Sequence, residues 1–249
     1  TQAPIGRYTV FAYDDMGRRL RTINNYADGT AGGGSDDQDQ ITEAVYTDGL
    51  QTKFIAHVPG GPNQETEYSY NHAADGGGSL LASNRVLYKV TYPDSGGSSD
   101  VVAYEYNAQG QLIQKTDQAG NVIEYDHDTG GRVAAQRVTT LAGGFDGSVR
   151  AIRTAYDALG RVTTVTQYDD PSSTSSGDVT DQVKYAYDNW GNPTTFEQDF
   201  NSEVAANGDQ WLVTSAWEDA GGSGGARTLR RTQEVVQRWK NSGSWSLVD

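Results

Sequence analysis

A seven-residue stretch, Tyr156-Asp157-Ala158-Leu159-Gly160-Arg161-Val162, recurs along the chain and limits its fold more than any other feature. Tyr13-Asp14 is followed by Gly17-Arg18, Tyr106-Asn107 by Gly110-Gln111, and His127-Asp128 by Gly131-Arg132-Val133. Tyr187-Asp188 is followed by Gly191-Asn192, and Trp217-Glu218 by Gly221. In each copy the glycine stands four places after the aromatic or histidine. Weaker copies start at Tyr46 and Tyr70 and lack that glycine. A unit repeated in this way makes an array in which each copy leans on its neighbours.

Each copy has a local meaning. Asp or Asn after the aromatic bonds its own backbone and opens a turn. The glycine three residues later supplies the positive φ of a bulged hairpin loop. Aromatics alternate before the turn, as in Tyr104/Tyr106, Tyr125/His127 and Tyr185/Tyr187, which places them on one face of a strand. An apolar or β-branched run follows, such as Val162-Thr163-Thr164-Val165. The unit reads as strand, tight turn, strand.

The pattern resembles the RHS/YD-repeat family. The residues that carry the resemblance are Tyr-Asp-x-x-Gly-Arg-Val at 156–162, Tyr-x-x-x-Gly at 106–110, His-Asp-x-x-Gly-Arg-Val at 127–133 and Tyr-Asp-x-x-Gly-Asn at 187–192. The piece Asp117-Gln118-Ala119-Gly120 is similar to the family's Asp-x-x-Gly linker. The resemblance implies a long β-hairpin strip that spirals into a hollow shell, as in bacterial toxin cocoons, wall-associated bacterial proteins and the animal teneurins. It implies structural roles for Tyr13, Asp14, Gly17, Tyr106, Gly110, His127, Asp128, Gly131, Tyr156, Asp157, Gly160, Tyr187, Asp188 and Gly191. The family's self-cleaving core and its variable toxin domain are not recognisable in this sequence, so no catalytic residue carries over.

Composition agrees with a thin layer. The chain is 35% hydrophobic, with 30 Gly, 6 Pro and 15 Tyr. Mean hydropathy is -0.67. That is too polar for a thick enzyme core of this length, while the spread of aromatic and β-branched residues argues against disorder. A net charge of -14 lacks the basic footprint that nucleic acid requires and repels anionic membranes. There is no cysteine, so the redox compartment is unreadable. No apolar run approaches the ~20 residues of a membrane span. No signal-peptide pattern opens the sequence. We expect a fragment of a longer chain whose targeting sequence lies upstream.

Along the chain, Tyr106 and His127 set a base period of 21 residues. Longer gaps are this period plus Gly/Ser/Asp-rich insertions at 29–40, 73–79, 94–100, 171–178 and 220–225, expected as exposed loops outside the ladder. Residues 41–58 read as a unit with a shortened turn at Val45–Leu50. The third unit is expected to return along Arg85–Val90. Pro193 removes a ladder donor and predicts a bend or an edge strand. Residues 1–226 therefore read as about eight hairpin repeats, with 227–249 as a degenerate final repeat or partial cap.

Sites of chemistry are scarce. Of His57, His72 and His127, none has a second histidine at ligand spacing, so no metal site is expected. His127 takes the slot that tyrosine fills elsewhere and reads as a packed ring. Asp36, Asp37 and Asp39 offer clustered oxygens, but the spacing lacks the glycine and closing glutamate of a calcium loop. No Gly-x-Ser-x-Gly elbow or phosphate loop occurs. Asp169-Asp170 is an acidic pair of adjacent loop residues rather than a glycosidase pair. The aromatics read as packing between hairpins before they read as sugar platforms. The arginines at 18, 132 and 161 read as covers for aromatic faces.

The expectation is an all-β chain: a repetitive β-hairpin strip forming an open solenoid or shell segment. It is expected to be non-enzymatic, without cofactor or metal, and extracellular or at the cell surface of a bacterium. Its partners are expected to be further repeats of the same chain or neighbouring copies, with an encapsulated cargo or a glycan beyond them. The alternative is an adhesion or filament module that binds glycans or proteins.

Overall fold

A computed structural model describes residues 8–26, 39–70, 78–93, 100–174, 178–204, 210–219, 229–240 and 244–247. These residues form strands joined by turns and loops, with no α-helix among them. The chain divides into two compact units, Thr1–Gly120 and Asn121–Asp249.

The first unit holds β1 (Tyr8–Tyr13), β2 (Arg19–Tyr26), β3 (Gln40–Thr47), β4 (Leu50–Ala56), β5 (Gln64–Ser69), β6 (Lys89–Thr91), β7 (Val101–Tyr106) and β8 (Leu112–Thr116). Each strand pairs antiparallel with the next in sequence. The second unit repeats the plan. Its strands are β9 (Val122–His127), β10 (Val133–Thr140), β11 (Ala151–Tyr156), β12 (Val162–Tyr168), β13 (Val179–Tyr187), β14 (Pro193–Asp199), β15 (Gln210–Asp219), β16 (Leu229–Lys240) and β17 (Ser244–Leu247). They too form an antiparallel meander. The all-β hairpin strip read from the repeats is the observed architecture.

The register is the same at every well-formed turn. Tyr13 pairs with Arg19, Tyr106 with Leu112, His127 with Val133, Tyr156 with Val162 and Tyr187 with Pro193. In each hairpin a register shift adjoins that pair, as expected where a left-handed glycine adds a bulge residue to one strand.

Little of the sheet is deeply buried. Most strand residues are half-exposed, and buried residues such as Ile23, Ile41, Val90, Val102 and Ala135 come singly. Ala151, Tyr168 and Val179 form a buried cluster. It sits where β11, β12 and β13 meet, because Tyr168 pairs with Ala151 on one side and Val179 on the other. A layer of this kind is held by its ladders and cross-strand contacts more than by a thick core.

Several local expectations are corrected. The third unit's return strand is only Lys89–Thr91, not Arg85–Val90, because residues 84–86 turn. The Ser83 hydroxyl accepts the Arg85 N–H at 3.2 Å, and the Leu87 carbonyl accepts the Tyr106 hydroxyl at 2.8 Å, so neither extends the strand. Three insertion residues, Asp39, Ser79 and Ser173, are buried rather than exposed. Ser79 Oγ accepts the Tyr106 N–H at 2.8 Å, and the Ser173 carbonyl accepts Arg153 Nε at 3.0 Å. Gln40 begins β3, and Asp39 beside it is buried. Pro193 opens a strand paired on both sides, with β13 and β15, so β14 is interior. Its missing N–H falls at the register shift. Insertion residues 29–38, 73–77, 94–99, 175–177 and 220–225, Asp36 and Asp37 among them, lie outside the described residues, as do the side chains of Trp217, Trp239 and Trp245.

Candidate functional site

The conspicuous local structure is the hairpin turn. At 157–161 the Asp157 N–H donates to the Arg161 carbonyl at 2.9 Å, and the Gly160 N–H donates to the Asp157 carbonyl at 3.0 Å. Gly160 takes φ +84. Asp157 Oδ1 accepts the N–H groups of Leu159 and Arg161, both at 2.9 Å. Its Oδ2 accepts Arg161 Nε at 2.6 Å. One carboxylate thus satisfies two loop donors and fixes the arginine that closes the loop.

Four more turns repeat this geometry. Asp14 Oδ1 accepts from Met16 and Arg18, and Asp128 Oδ1 from Gly130 and Arg132. Arg18 and Arg132 return their Nε to the same carboxylates at 2.6 and 2.7 Å. The other two close on an amide side chain in place of an arginine. Asn107 Nδ2 donates to Gln111 Oε1 at 2.6 Å, and Asn192 Nδ2 donates to Asp188 Oδ2 at 2.8 Å. Gly17, Gly110, Gly131 and Gly191 have φ between +79 and +91. The weaker copy at Tyr46 closes differently, with Asp48 at φ 50 and Gly49 at φ 84 forming a two-residue turn.

Bonding to the loop N–H groups and the closing side chain holds the carboxyls below their usual range. Backbone donation from the residue closing the loop dominates at Asp14 and Asp157. The closing side chain, Arg132 or Asn192, dominates at Asp128 and Asp188.

The same arginines reach the next hairpin. Arg132 lies 4.3 Å over the Tyr156 ring, Arg161 lies 4.6 Å over Tyr187, and Arg18 lies 4.5 Å over Tyr46. The tyrosine answers with its hydroxyl. Tyr156 donates to the Val133 carbonyl at 3.0 Å, and Tyr187 donates to the Val162 carbonyl at 2.8 Å. Arg161 Nη1 also donates to the Asp188 carbonyl at 3.1 Å. The clasps at Tyr156 and Tyr187 therefore join the tyrosine of one hairpin to the arginine and following valine of the hairpin before it. Tyr106 makes a variant clasp, its ring edge-on to Tyr88 at 5.7 Å and its hydroxyl on Leu87. Burial pushes the Tyr106 phenol pKa up. His127 is half-buried at the end of β9, opposite Val133.

The sequence pointed to arginine covering aromatic faces but not to the full circuit. The readable signal was the residue closing each turn. It is Arg, Gln or Asn in the five well-formed turns, and each can return a polar head to the Asp or Asn four places earlier.

Among the described residues, no group of His, Asp and Glu is arranged to hold a metal ion. An open groove of 740 Å³ in the first unit is lined by Thr52, Tyr68, Tyr70, Asn84 and Arg85 among others. The turn tips carry exposed apolar side chains, Met16, Leu159 and Trp190. None of these arrangements pairs a nucleophile with a base.

Residues 106–146 match the family model named RHS repeat. No curated protein matches the sequence. Solved structures match in fold. A crystal structure titled TcdB2-TccC3-Cdc42 aligns at 14% identity and TM-score 0.53, over 91% of this chain and 11% of that one. TcdB2-TccC3 without its hypervariable C-terminal region aligns at 13% and 0.54, over 93% and 11%. The Photorhabdus luminescens Tc holotoxin pore, carrying a TccC3 mutation, aligns at 14% and 0.55, over 94% and 11%. The chain spans about a tenth of the length of these structures, 11% in each. At such identity the likeness is one of fold.

Proposed function

We propose that this chain, which carries RHS/YD repeats, is a wall segment of a large secreted or cell-surface protein whose β-strip encloses a cargo such as a toxin domain. The observation that carries the reading is the clasp repeated from Arg132 to Tyr156 and from Arg161 to Tyr187. It uses the chemistry-bearing side chains of each repeat for adhesion to the next hairpin. Tyr13, Asp14, Gly17, Tyr106, Gly110, His127, Asp128, Gly131, Tyr156, Asp157, Gly160, Tyr187, Asp188 and Gly191 are then structural residues, and no catalysis is assigned to the chain. Repeats through residue 226 make wall, and 227–249, where β16 pairs with β17, is the final repeat or a partial cap. The partners are further repeats or neighbouring copies.

Electron microscopy of the natural polypeptide that carries this segment tests the reading, with proteolysis of its other domains alongside. A hollow shell that shields one domain from protease is expected. An extended rod with every domain cleavable would sink it. Reproducible turnover of glycans, peptides or esters, abolished by changing one carboxylate, would overturn the non-enzymatic part. The groove between Tyr68, Tyr70 and Arg85 favours a second reading, an adhesion module that holds a glycan against tyrosine rings. Titration with oligosaccharides, read by tyrosine fluorescence, separates the two.

A further inference from the structure

The sequence holds Asp-Gly bonds at 28–29, 48–49, 75–76 and 146–147, of which Asp48-Gly49 and Asp146-Gly147 lie among the described residues. Such a bond is chemically weak, because glycine has no side chain to keep the preceding carboxyl away from its nitrogen. The two stand in opposite surroundings. Asp146 Oδ1 accepts the Ser148 N–H at 2.9 Å, and its Oδ2 accepts the Ser148 hydroxyl at 3.0 Å. These bonds, the one from the backbone first, hold the Asp146 carboxyl below its usual range. Gly147 is crowded as well, since a Cβ there would lie 3.1 Å from Leu141 Cδ2.

Asp48 differs in each of these respects. Both it and Gly49 are exposed. Among the described residues its carboxylate accepts no hydrogen bond and joins no ion pair, and the Gly49 N–H has no acceptor. A Cβ at Gly49 would meet nothing within 4 Å. Asp48 is also the one described non-glycine residue with positive φ, 50, a conformation that strains any residue with a side chain. The next hairpin gives this turn no hold. Where a turn closes in Arg18, Arg132 or Arg161, the guanidinium pins it to a tyrosine of the following hairpin. The turn at 47–50 closes in Leu50, and Thr47, Asp48 and Leu50 border the open groove that Tyr68 and Tyr70 also line.

We propose that Asp48-Gly49 is a site of backbone modification, at which the chain rearranges through a succinimide to an isoaspartyl link. The Gly49 nitrogen attacks Asp48 Cγ. A bond forms between them, the Cγ–OH bond breaks, and the hydroxyl leaves with the proton from nitrogen as water. Water then adds to the main-chain carbonyl carbon of Asp48 and breaks its bond to the Gly49 nitrogen. Nitrogen stays on Cγ, the former main-chain carbonyl becomes the free carboxylate, and the mass is unchanged. Water is lost in the first step and regained in the second, so no other reactant is required. The new link runs through Cβ and is a carbon longer than a peptide. It therefore does not fit the two-residue turn that pairs Thr47 with Leu50. The strain at Asp48 is relieved by the same change, because the residue no longer has to hold a left-handed φ.

The test incubates the folded chain in mildly acidic buffer, above the range in which the turn carboxylates protonate, beside the same chain in denaturant. Isoaspartate is read at each site by chromatography and electron-transfer fragmentation of peptides of unchanged mass, and the succinimide by the loss of one water. Incubation lasts until the denatured chain has converted at both 48 and 146. In the folded chain Asp48 should convert at least about tenfold faster than Asp146, the factor that two ordinary hydrogen bonds withhold. In denaturant the two rates should draw together, since the sites then differ only in their neighbours. Ser148→Ala should speed Asp146 in the folded chain by removing one of its two bonds. Asp48→Glu, whose longer side chain disfavours ring closure, should abolish the signal from the 47–50 turn. Conversion of Asp48 no faster than that of Asp146 in the folded chain overturns the proposal. So does a rate ratio that persists in denaturant, because it assigns the difference to sequence neighbours and not to the turn. A signal that survives Asp48→Glu also overturns it.

Discussion

The Arg132 guanidinium lies 4.3 Å above the ring of Tyr156, and the Tyr156 hydroxyl closes a circuit by donating to the carbonyl of Val133, the residue after that arginine. The circuit has two separable parts. Arg132→Gln removes the charge over the ring and is expected to cost about 0.5–1 kcal/mol. Tyr156→Phe removes the hydroxyl bond and is expected to cost about 1 kcal/mol. Tyr156→Leu should cost more than either, and its effect should shrink in the Arg132→Gln background because the two contacts are one unit. Chemical denaturation of the four chains checks this, and strictly additive losses would count against a clasp.

Gly17 and Gly160 allow the cost of the turn conformation to be told apart from crowding. Both have positive φ, +79 and +84, which disfavours any side chain. A Cβ at Gly17 meets nothing within 4 Å, while one at Gly160 would lie 3.1 Å from Arg132 Nη1. Gly17→Ala should therefore report left-handed strain alone, roughly 1–2 kcal/mol. Gly160→Ala should cost at least as much and should also loosen the hold of Arg132 on Tyr156, visible as faster Tyr156 nitration. Equal nitration in both variants would separate the glycine from the clasp.

Acid should act on the turns. The carboxyls of Asp14, Asp128, Asp157 and Asp188 are all held below the ordinary 3.8. A depressed folded pKa means these groups add stability that is fully present above the unfolded value and is lost as pH falls through the folded one. Stability attributable to them should therefore be flat from neutral pH down to about 5 and decline below about 4. Relief of mutual repulsion in a chain of net charge -14 works in the opposite direction, so the comparison must be internal. Asp157→Asn should flatten the acid limb of the denaturation profile relative to the parent. An identical acid limb would remove Asp157 from the account.

Ser79 lies in a stretch that composition alone places in an exposed loop, yet its hydroxyl oxygen accepts the Tyr106 N–H at 2.8 Å in a buried position. Ser79→Ala leaves a buried N–H without its acceptor and should cost about 1–3 kcal/mol. A loss within about 0.5 kcal/mol, the scale of ordinary surface substitutions, would show that water replaces the serine.

How far the sequence discloses the molecule follows from the range of each interaction. Turn type, strand pairing and glycine φ depend on residues within a span such as Tyr156–Val162, and the repeats display them openly. The burial of Ser79 and Ser173 and the shortening of the third return strand to Lys89–Thr91 depend on what Tyr106, Arg153 and Tyr88 do elsewhere. Tyr88 is fully buried and bonds the Leu81 carbonyl, holding the preceding loop in place, and no local pattern announces that. The hydroxyl half of the clasp was hidden for a similar reason. Its acceptor is a backbone carbonyl, which every residue has, so composition cannot mark it.

The uncharged turn at Asn107 and Gln111 offers the sharpest test of how the loop is held. Asn107 Oδ1 accepts the N–H groups of Gln109 and Gln111, both at 3.0 Å, which leaves Nδ2 facing Gln111 Oε1 at 2.6 Å. The two loop donors fix the orientation of the amide, so it cannot flip to suit a new neighbour. Gln111→Arg sets guanidinium donors against the Asn107 amide donors, a buried-edge mismatch expected to cost about 1–2 kcal/mol. Asn107→Asp alone should be nearly neutral, because Gln111 can turn its amide to donate to a carboxylate. The double change recreates the pair that Asp157 and Arg161 form at 2.6 Å and should recover most of the loss. Thermal denaturation of the four chains gives the coupling directly. A favourable coupling of about 0.5 kcal/mol or more is the expected outcome. Additive effects would mean that the backbone loop and its glycine, Gly110, set this turn without help from the paired side chains.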